Sequence, residues 1–347
     1  MRQKTQSHWS FCSAVLLVGF FILFHTAYAL EEYVTTSEAK TSAKGVTEFH
    51  LTVPFNLGGK INLQAADSGV CRVKLECRAK ANSKEKARKF TEMVDLDLER
   101  EEESVTLSLT TPKGAPWEGT NYGIKVTLDI LVPPDITVET KTSGFDLNVD
   151  GPLKGVDVEN MYGDVRLKDV SGETSVNAGY GEVNAEDIRG SLDIQTSYNS
   201  ISLVDVKTAG GQASLKTTYG NINLEKFTGQ LEASTVYSSI YGSGLTLDGG
   251  TNEIKTVYSK IDLQFDEIRG GELYIKNTYG NINLVTPKNL SAKVTLSVGR
   301  GGKISTKGIL IKPQVLEETR LEGTCGEGES DVEVEISGIG QISLEGR

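Results

Sequence analysis

Two sets of side chains in this sequence recur at spacings that could do chemistry. The first is a series of seven tyrosines, Tyr162, Tyr180, Tyr198, Tyr219, Tyr237, Tyr258 and Tyr279, separated by 18, 18, 21, 18, 21 and 21 residues. Each is followed by Gly, Ser or Asn. Aromatic rings held in a row offer faces on which sugar rings can stack, which makes the series a candidate ligand-contact ladder. The competing reading is a packing device, in which each ring plugs a corner of the fold and stacks on the ring below. Strand parity favours packing, because it places Tyr219 on the inward side with Leu215 and Thr217.

The second set is carboxylates. A site that cleaves polysaccharide needs two carboxyl groups close together, or carboxylates with Ca²⁺ and a basic residue. Asp164, Glu182, Asp262 and Asp266 are instead spread along the chain among polar neighbours, and Asp169, Asp187 and Asp205 recur with the repeat as corner residues would. The calcium-binding G-G-x-G-x-D nonapeptide is absent. His50 is the only histidine beyond residue 29 and lies in an alternating run between Phe49 and Leu51, so neither a Ser-His-Asp nor a Cys-His site can be assembled. There is no G-x-S-x-G elbow, and Gly299-Arg300-Gly301-Gly302 lacks the strand, GK[ST] and helix of a phosphate-binding loop. Cys71 and Cys77 lie six apart on one expected strand, about 20 Å when extended, too far to bridge each other. Either could pair with Cys325 in an oxidising compartment. The residues therefore predict no catalytic, cofactor-binding or metal site, and no cofactor.

What would position the tyrosines is a repeat. In the cleanest unit, residues 215–231, Leu215, Thr217 and Tyr219 alternate with polar residues and Gly220-Asn221 breaks the run. Ile222 and Leu224 then alternate, Phe227 follows, and Gly229 closes the unit. Period-two runs between turn residues are short half-buried strands. Two short strands and two turns in 18–21 residues suit one coil of a β-helix, whose inward residues stack on the next coil at about 4.8 Å. One coil cannot bury its own apolar stripe, so neighbouring coils supply the core. The three-residue differences read as longer corners, as at Thr208-Ala209-Gly210-Gly211.

Along the chain, residues 1–29 read as a signal peptide. Arg2 and Lys4 begin it, an apolar core runs from Val15 to Phe24, and Ala27-Tyr28-Ala29 is the cleavage signal. Residues 30–45 read as a flexible arm, and 46–135 as a β-rich N-terminal part capping the solenoid, with one helix over 82–93. Residues 136–286 hold the repeats of 18–21 residues, and 287–347 the final coils and a C-terminal cap. No segment after residue 29 approaches the length of a membrane span. Beyond residue 29 there are 34 basic and 47 acidic residues, a net charge of −13. That balance argues against nucleic acid and against electrostatic attachment to anionic lipid.

The run VTLDILVPPDITVETKTSGFDLNVDG (residues 126–151), the repeated Y-G-x-I/V-x-L units and VTPKNLSAKVTLSVGRGGKIST (residues 285–306) resemble the bacterial putative-adhesin β-helix family, over roughly Glu48 to Gly346. That family is largely a domain of unknown function and is similar to the head domains of putative autotransporter adhesins. The resemblance implies an all-β, right-handed, single-chain parallel β-helix (β-solenoid) and offers no catalytic residues to carry over. Its pattern more usually has Ser or Thr where this chain has Tyr. Together these readings predict a non-enzymatic protein exported to the periplasm, cell surface or extracellular space. It would be an adhesin or surface-binding scaffold rod, with an envelope or surface partner that is protein or glycan. The alternative is a polysaccharide-active lyase or hydrolase on the same scaffold.

Overall fold

The computed structural model describes residues 30–347; the expected signal peptide lies outside them. The chain is all-β, with 26 strands and a single helix among the described residues. Most strands stack in parallel on strands 18 or 21 residues away. Val165 pairs with Val183, Val183 with Ile201, Ile201 with Ile222, Ile222 with Ile240, Ile240 with Ile261, and Ile261 with Ile282. All seven are fully buried. Because register is kept coil after coil, this column is β-branched throughout, and the core is a continuous strip along the array.

The longer units accommodate their extra residues at a corner. Between Lys207 and Gln212 the pairing slips, so that residues 208–211 face Gly229 alone. Gly229 is at φ +136, and a Cβ there would lie 1.8 Å from the Thr208 hydroxyl. A second corner uses the left-handed region in successive coils: Asp169, Asp187, Asp205 and Lys226 have φ of 56, 56, 51 and 55, and Gly244 follows at 66. Aspartate tolerates that conformation through local hydrogen bonding, which accounts for its recurrence at the corner.

Both ends depart from sequential stacking. Strands Glu48–Thr52 and Gly59–Ala65 form a coil wedged between Ser104–Thr110 with Gly123–Val132 on one side and Thr137–Leu153 on the other. At the far end, Ser330–Ile336 and Gln341–Gly346 are wedged between the coil of Gly271–Asn277 with Ile282–Thr286 and that of Ala292–Val298 with Lys303–Lys307. The last strands in sequence are therefore interior in space. Antiparallel strands cover the ends: Val70–Ala81 on Gly123–Val132, Asp95–Glu101 on Ser104–Thr110, and Arg320–Cys325 on Ala292–Val298.

Residues 30–45, expected to be a flexible arm, instead carry the strand Glu31–Ser42, paired along its whole length with Val70–Ala81. Its own alternation is weak, but its partner's inward row of Cys71, Val73, Leu75, Cys77 and Ala79 is buried. Backbone pairing, not an apolar stripe, holds it. The helix, Lys84–Thr91, is capped by the Ser83 hydroxyl, which accepts from the Lys86 N–H at 3.3 Å. It buries Ala87 and Phe90, and Phe90 meets Trp117 edge-on at 5.6 Å.

This topology predicts unequal costs for similar truncations. Leu344→Ala, near the end of the sequence but in an interior coil, should cost about as much as Leu224→Ala in mid-array, about 2–5 kcal/mol each. Ile304→Ala, in the outermost coil, should cost clearly less. Urea denaturation of the three variants checks the order.

Candidate functional site

Tyr162 ends the strand Gly155–Tyr162, and the other six tyrosines sit in short bends between the two strands of their coils, as Tyr180 does between Thr174–Ala178 and Val183–Arg189. Parity pointed these rings inward, and the structure corrects this. Leu215 and Thr217 are buried, but the bend at 218–220 breaks the alternation, and Gly220 turns in while Tyr219 turns out. The seven rings are between 44% and 54% exposed, an unusual concentration of half-uncovered aromatics.

The rings stack on one another. Successive centroids lie 5.0, 4.6, 5.2, 4.9, 5.2 and 5.7 Å apart, with interplanar angles of 6–12°. This spacing is imposed from below. The Tyr180 N–H donates to the Met161 carbonyl at 2.9 Å, Tyr219 to Ser197 at 3.0 Å, Tyr237 to Thr218 at 3.0 Å and Tyr279 to Val257 at 2.7 Å. The sheet's ladder thus continues through the bends. The residue after the ring is often glycine because the chains approach closely there: a Cβ on Gly181 or Gly220 would lie 1.8 Å from a carbonyl oxygen of the preceding coil. Where the residue is Ser238, its hydroxyl donates to the Tyr219 carbonyl at 2.5 Å.

Beneath the tyrosines runs a second column that the repeat reading missed. Two residues before the rings stand Asn160, Thr196, Thr217, Thr235, Thr256 and Asn277, all buried. Several tie one bend to its neighbour. The Thr235 hydroxyl donates to the Gly220 carbonyl at 3.0 Å, Thr256 to Ser238 at 2.9 Å, and the Asn277 amide to Ser259 at 2.6 Å. Asn160 donates within its own bend to Gly163 at 3.1 Å and to Phe145 in the coil below at 2.8 Å. The signal was present as a T/N-x-Y pattern, broken only by Ala178.

Face-to-face packing changes what the ladder can do. Ring faces within the row are covered by other rings, so sugars cannot stack on them one by one; what the row presents is ring edges and phenol oxygens. Tyr180 illustrates the coupling. The Tyr198 phenol beside it, with some burial, raises its pKa above the ordinary tyrosine value, because adjacent phenolates would repel. Next to the first coils of the ladder, over residues 142–218, lies a groove of about 690 Å³. Ser143 and the residues just before the rings, Met161, Gly179, Ser197 and Thr218, line one side of it, and its strand side carries Glu159, Asn177, Gln195 and Lys216.

The other sequence candidates do not converge. Asp164 accepts from the Glu182 N–H at 3.1 Å and pairs with Arg166 at 3.3 Å, and Asp262 pairs with Lys260 at 2.5 Å. Arg189 lies between Asp187 and Asp205, at 3.7 and 3.2 Å. His50 sits on an outer strand face between Glu48 and Glu139, at 3.4 and 3.0 Å. Among the described residues no group of three or more His, Cys, Asp or Glu is placed to hold a metal ion. The three described cysteines are buried and unbridged. Cys71 and Cys77 share the strand Val70–Ala81 near one end, whereas Cys325 lies in the covering strand at the other. A bridge between them would span more than ten strand layers, so the pairing considered from the sequence cannot form.

A family model described as Toastrack DUF4097 matches residues 58–345. Similar solved structures include a putative cell adhesion protein from Clostridium sporogenes ATCC 15579, 12% identical, covering 91% of this chain and 100% of that one with a TM-score of 0.23. A putative adhesin from Parabacteroides merdae ATCC 43184 is 13% identical over 89% of this chain and 95% of that one, TM-score 0.30. A putative lipid binding protein from Parabacteroides distasonis ATCC 8503 is 14% identical over 90% and 96%, TM-score 0.25. No curated protein matches. No helix among the described residues is long and apolar enough to cross a membrane.

Two measurements test this local physics. Tyr198→Ala removes two stacking contacts and should cost about 1–3 kcal/mol, against about half that for Tyr162→Ala or Tyr279→Ala at the ladder's ends, read by urea denaturation. The second concerns Cys77, whose thiol burial pushes up to about 12 from an ordinary 9.0. The folded state holds that proton while the unfolded chain releases it. Its contribution is therefore intact below about pH 9 and is lost as pH rises toward about 12. A Cys77→Val variant should show a shallower alkaline loss of stability than the parent.

Proposed function

The chain belongs to the Toastrack DUF4097 family, and we propose that it is an exported, non-enzymatic rod of the cell envelope that holds a linear polymer along its tyrosine ladder. We take its coil as right-handed, as the family resemblance implies, and residues 136–286 as the binding array. The observation that carries this reading is the row of seven stacked, half-exposed tyrosines, with a groove next to its first coils lined by residues 142–218. Half-exposed aromatics in a contiguous row are rarely left to face water alone. Phenol oxygens together with Asn177, Gln195, Glu159 and Lys216 supply hydrogen-bond donors and acceptors of the kind that orient a polar ligand.

The spacing favours glycan over extended peptide. The ladder repeats every 4.6 to 5.7 Å, whereas side chains on one side of an extended peptide repeat at about 6.6 Å and would drift out of phase within a few coils. A glycan whose sugar units repeat near 5 Å would present hydroxyls to each phenol in turn, its rings lying against the ring edges and the groove floor. Support for a non-enzymatic role comes from the groove lining, where Glu159 is the only carboxylate. Cleavage by paired carboxyl groups needs two within about 10 Å across the bond.

The test is binding of the purified chain to a glycan array and to isolated cell-wall polymer. Two variants run in parallel: Gln195→Ala with Asn177→Ala, which alters the groove and leaves the stack, and Tyr198, Tyr219 and Tyr237 changed to Ser. Saturable binding weakened about tenfold or more by the groove pair, with unchanged circular dichroism, is the expected result. Binding indifferent to both variants would remove the ladder and groove from the function.

A further inference from the structure

The two ends of the array carry open strand edges of opposite charge. At the N-terminal end, Asp95–Glu101 is hydrogen-bonded as a strand on one side only, to Ser104–Thr110, with the strand Glu31–Ser42 packed near it but not paired to it. Residues 95–103 contain six acidic residues, Asp95, Asp97, Glu99, Glu101, Glu102 and Glu103, and one basic residue, Arg100. Arg100 turns its guanidinium onto backbone carbonyls, Ser42 at 2.9 Å and Lys44 at 2.5 Å. The strand's outer neighbours across the pairing are Ser104, Thr106, Ser108 and Thr110, which carry no charge. At the C-terminal end, Lys303–Lys307 also pairs on one side only, with Gln341–Gly346. Residues 299–316 contain Arg300, Lys303, Lys307 and Lys312 and no acidic residue. Of these, only Lys307 has an ion-pair partner among the described residues, Glu345 at 3.6 Å.

The alternation of the two edges matches. On the acidic strand, Asp95, Asp97, Glu99 and Glu101 point outward, while Leu96 and Leu98 are partly buried against the core. On the basic strand, Lys303, Ser305 and Lys307 are exposed, while Ile304 is partly buried against the core. Laid edge to edge, the acids would stand beside the lysines on the outer face and the leucines beside Ile304 on the inner one, the pairing that stabilises neighbouring strands. Two acidic edges repel each other, and so do two basic ones. Between these two edges, the charges that guard each against its own kind leave acidic against basic as the attractive combination.

We propose that copies of this chain associate head to tail, the Lys303–Lys307 edge of one copy adding to the Asp95–Glu101 edge of the next. Because the two surfaces differ and lie at opposite ends of the array, the contact is heterologous and does not close, so the product is an open linear assembly. Its outer-face ion pairs are exposed, so association weakens as salt screens them.

Sedimentation velocity of the full purified chain over a concentration series, at low and high ionic strength, tests the proposal. The expected result is concentration-dependent growth at low salt, weakened about tenfold or more at high salt. Lys303→Glu with Lys307→Glu, or Asp97→Lys with Glu99→Lys, should each abolish growth. Mixing the two reversed proteins should restore co-association, since each then meets an end of opposite sign; this also shows that both variants remain folded. A chain that stays monomeric at low salt overturns the proposal, as does growth indifferent to either reversal or a mixture that fails to associate.

Discussion

Everything in this structure depends on coil-to-coil register. An inward residue is buried only if the residues 18 or 21 positions before and after it are also inward and apolar, because no coil has enough surface to bury its own stripe. The column from Val165 to Ile282 satisfies that demand in every coil. A slip of one residue would turn the column out to solvent. Register therefore carries the stability, and departures from a uniform period are pushed to corners, where residues 209–211 are accommodated without disturbing Ala213 or Leu215.

The tyrosine ladder follows from the same constraint. Once the backbone of each bend is hydrogen-bonded to the bend below, the Cα atoms of the tyrosines are held near the strand spacing, and flat rings at that spacing have little choice but to stack. The buried Thr and Asn column beneath them satisfies bend carbonyls that the sheet ladder leaves free. Stacking in turn decides what the surface offers. The faces are used up internally, and what the row leaves exposed are ring edges and phenol hydroxyls.

Much of this was legible because it is local. Period-two runs, the Gly, Asn and Ser breaks, the Ser83 cap and the 18- and 21-residue spacings each have a direct physical reading. The direction of the tyrosines was not legible by parity, since parity holds only within a strand and the bend at 218–220 resets it. The pairing of Glu31–Ser42 escaped notice because its partner, not its own sequence, supplies the apolar face. Nor could the sequence reveal the wedged coils at either end. An alternating pair such as residues 332–344 states that it needs neighbours above and below, without stating which.

Those wedged coils bear on how a rod can end without fraying. In a purely sequential array the terminal coil is held on one face and by one chain connection, so it opens first. Here the C-terminal strands are covered on both faces, and the coil that lies outermost is tethered at both its ends, from Thr286 on one side and into the hairpin of Lys312–Leu316 and Arg320–Cys325 on the other. The N-terminal end repeats the device, with Glu48–Thr52 and Gly59–Ala65 tucked one layer in. The strands at the end of the sequence can therefore open only after the coil that covers them has been displaced, which raises the cost of fraying from the terminus. The stacked row of seven rings benefits from the same closure, because any coil that opened would shift the register on which the row depends.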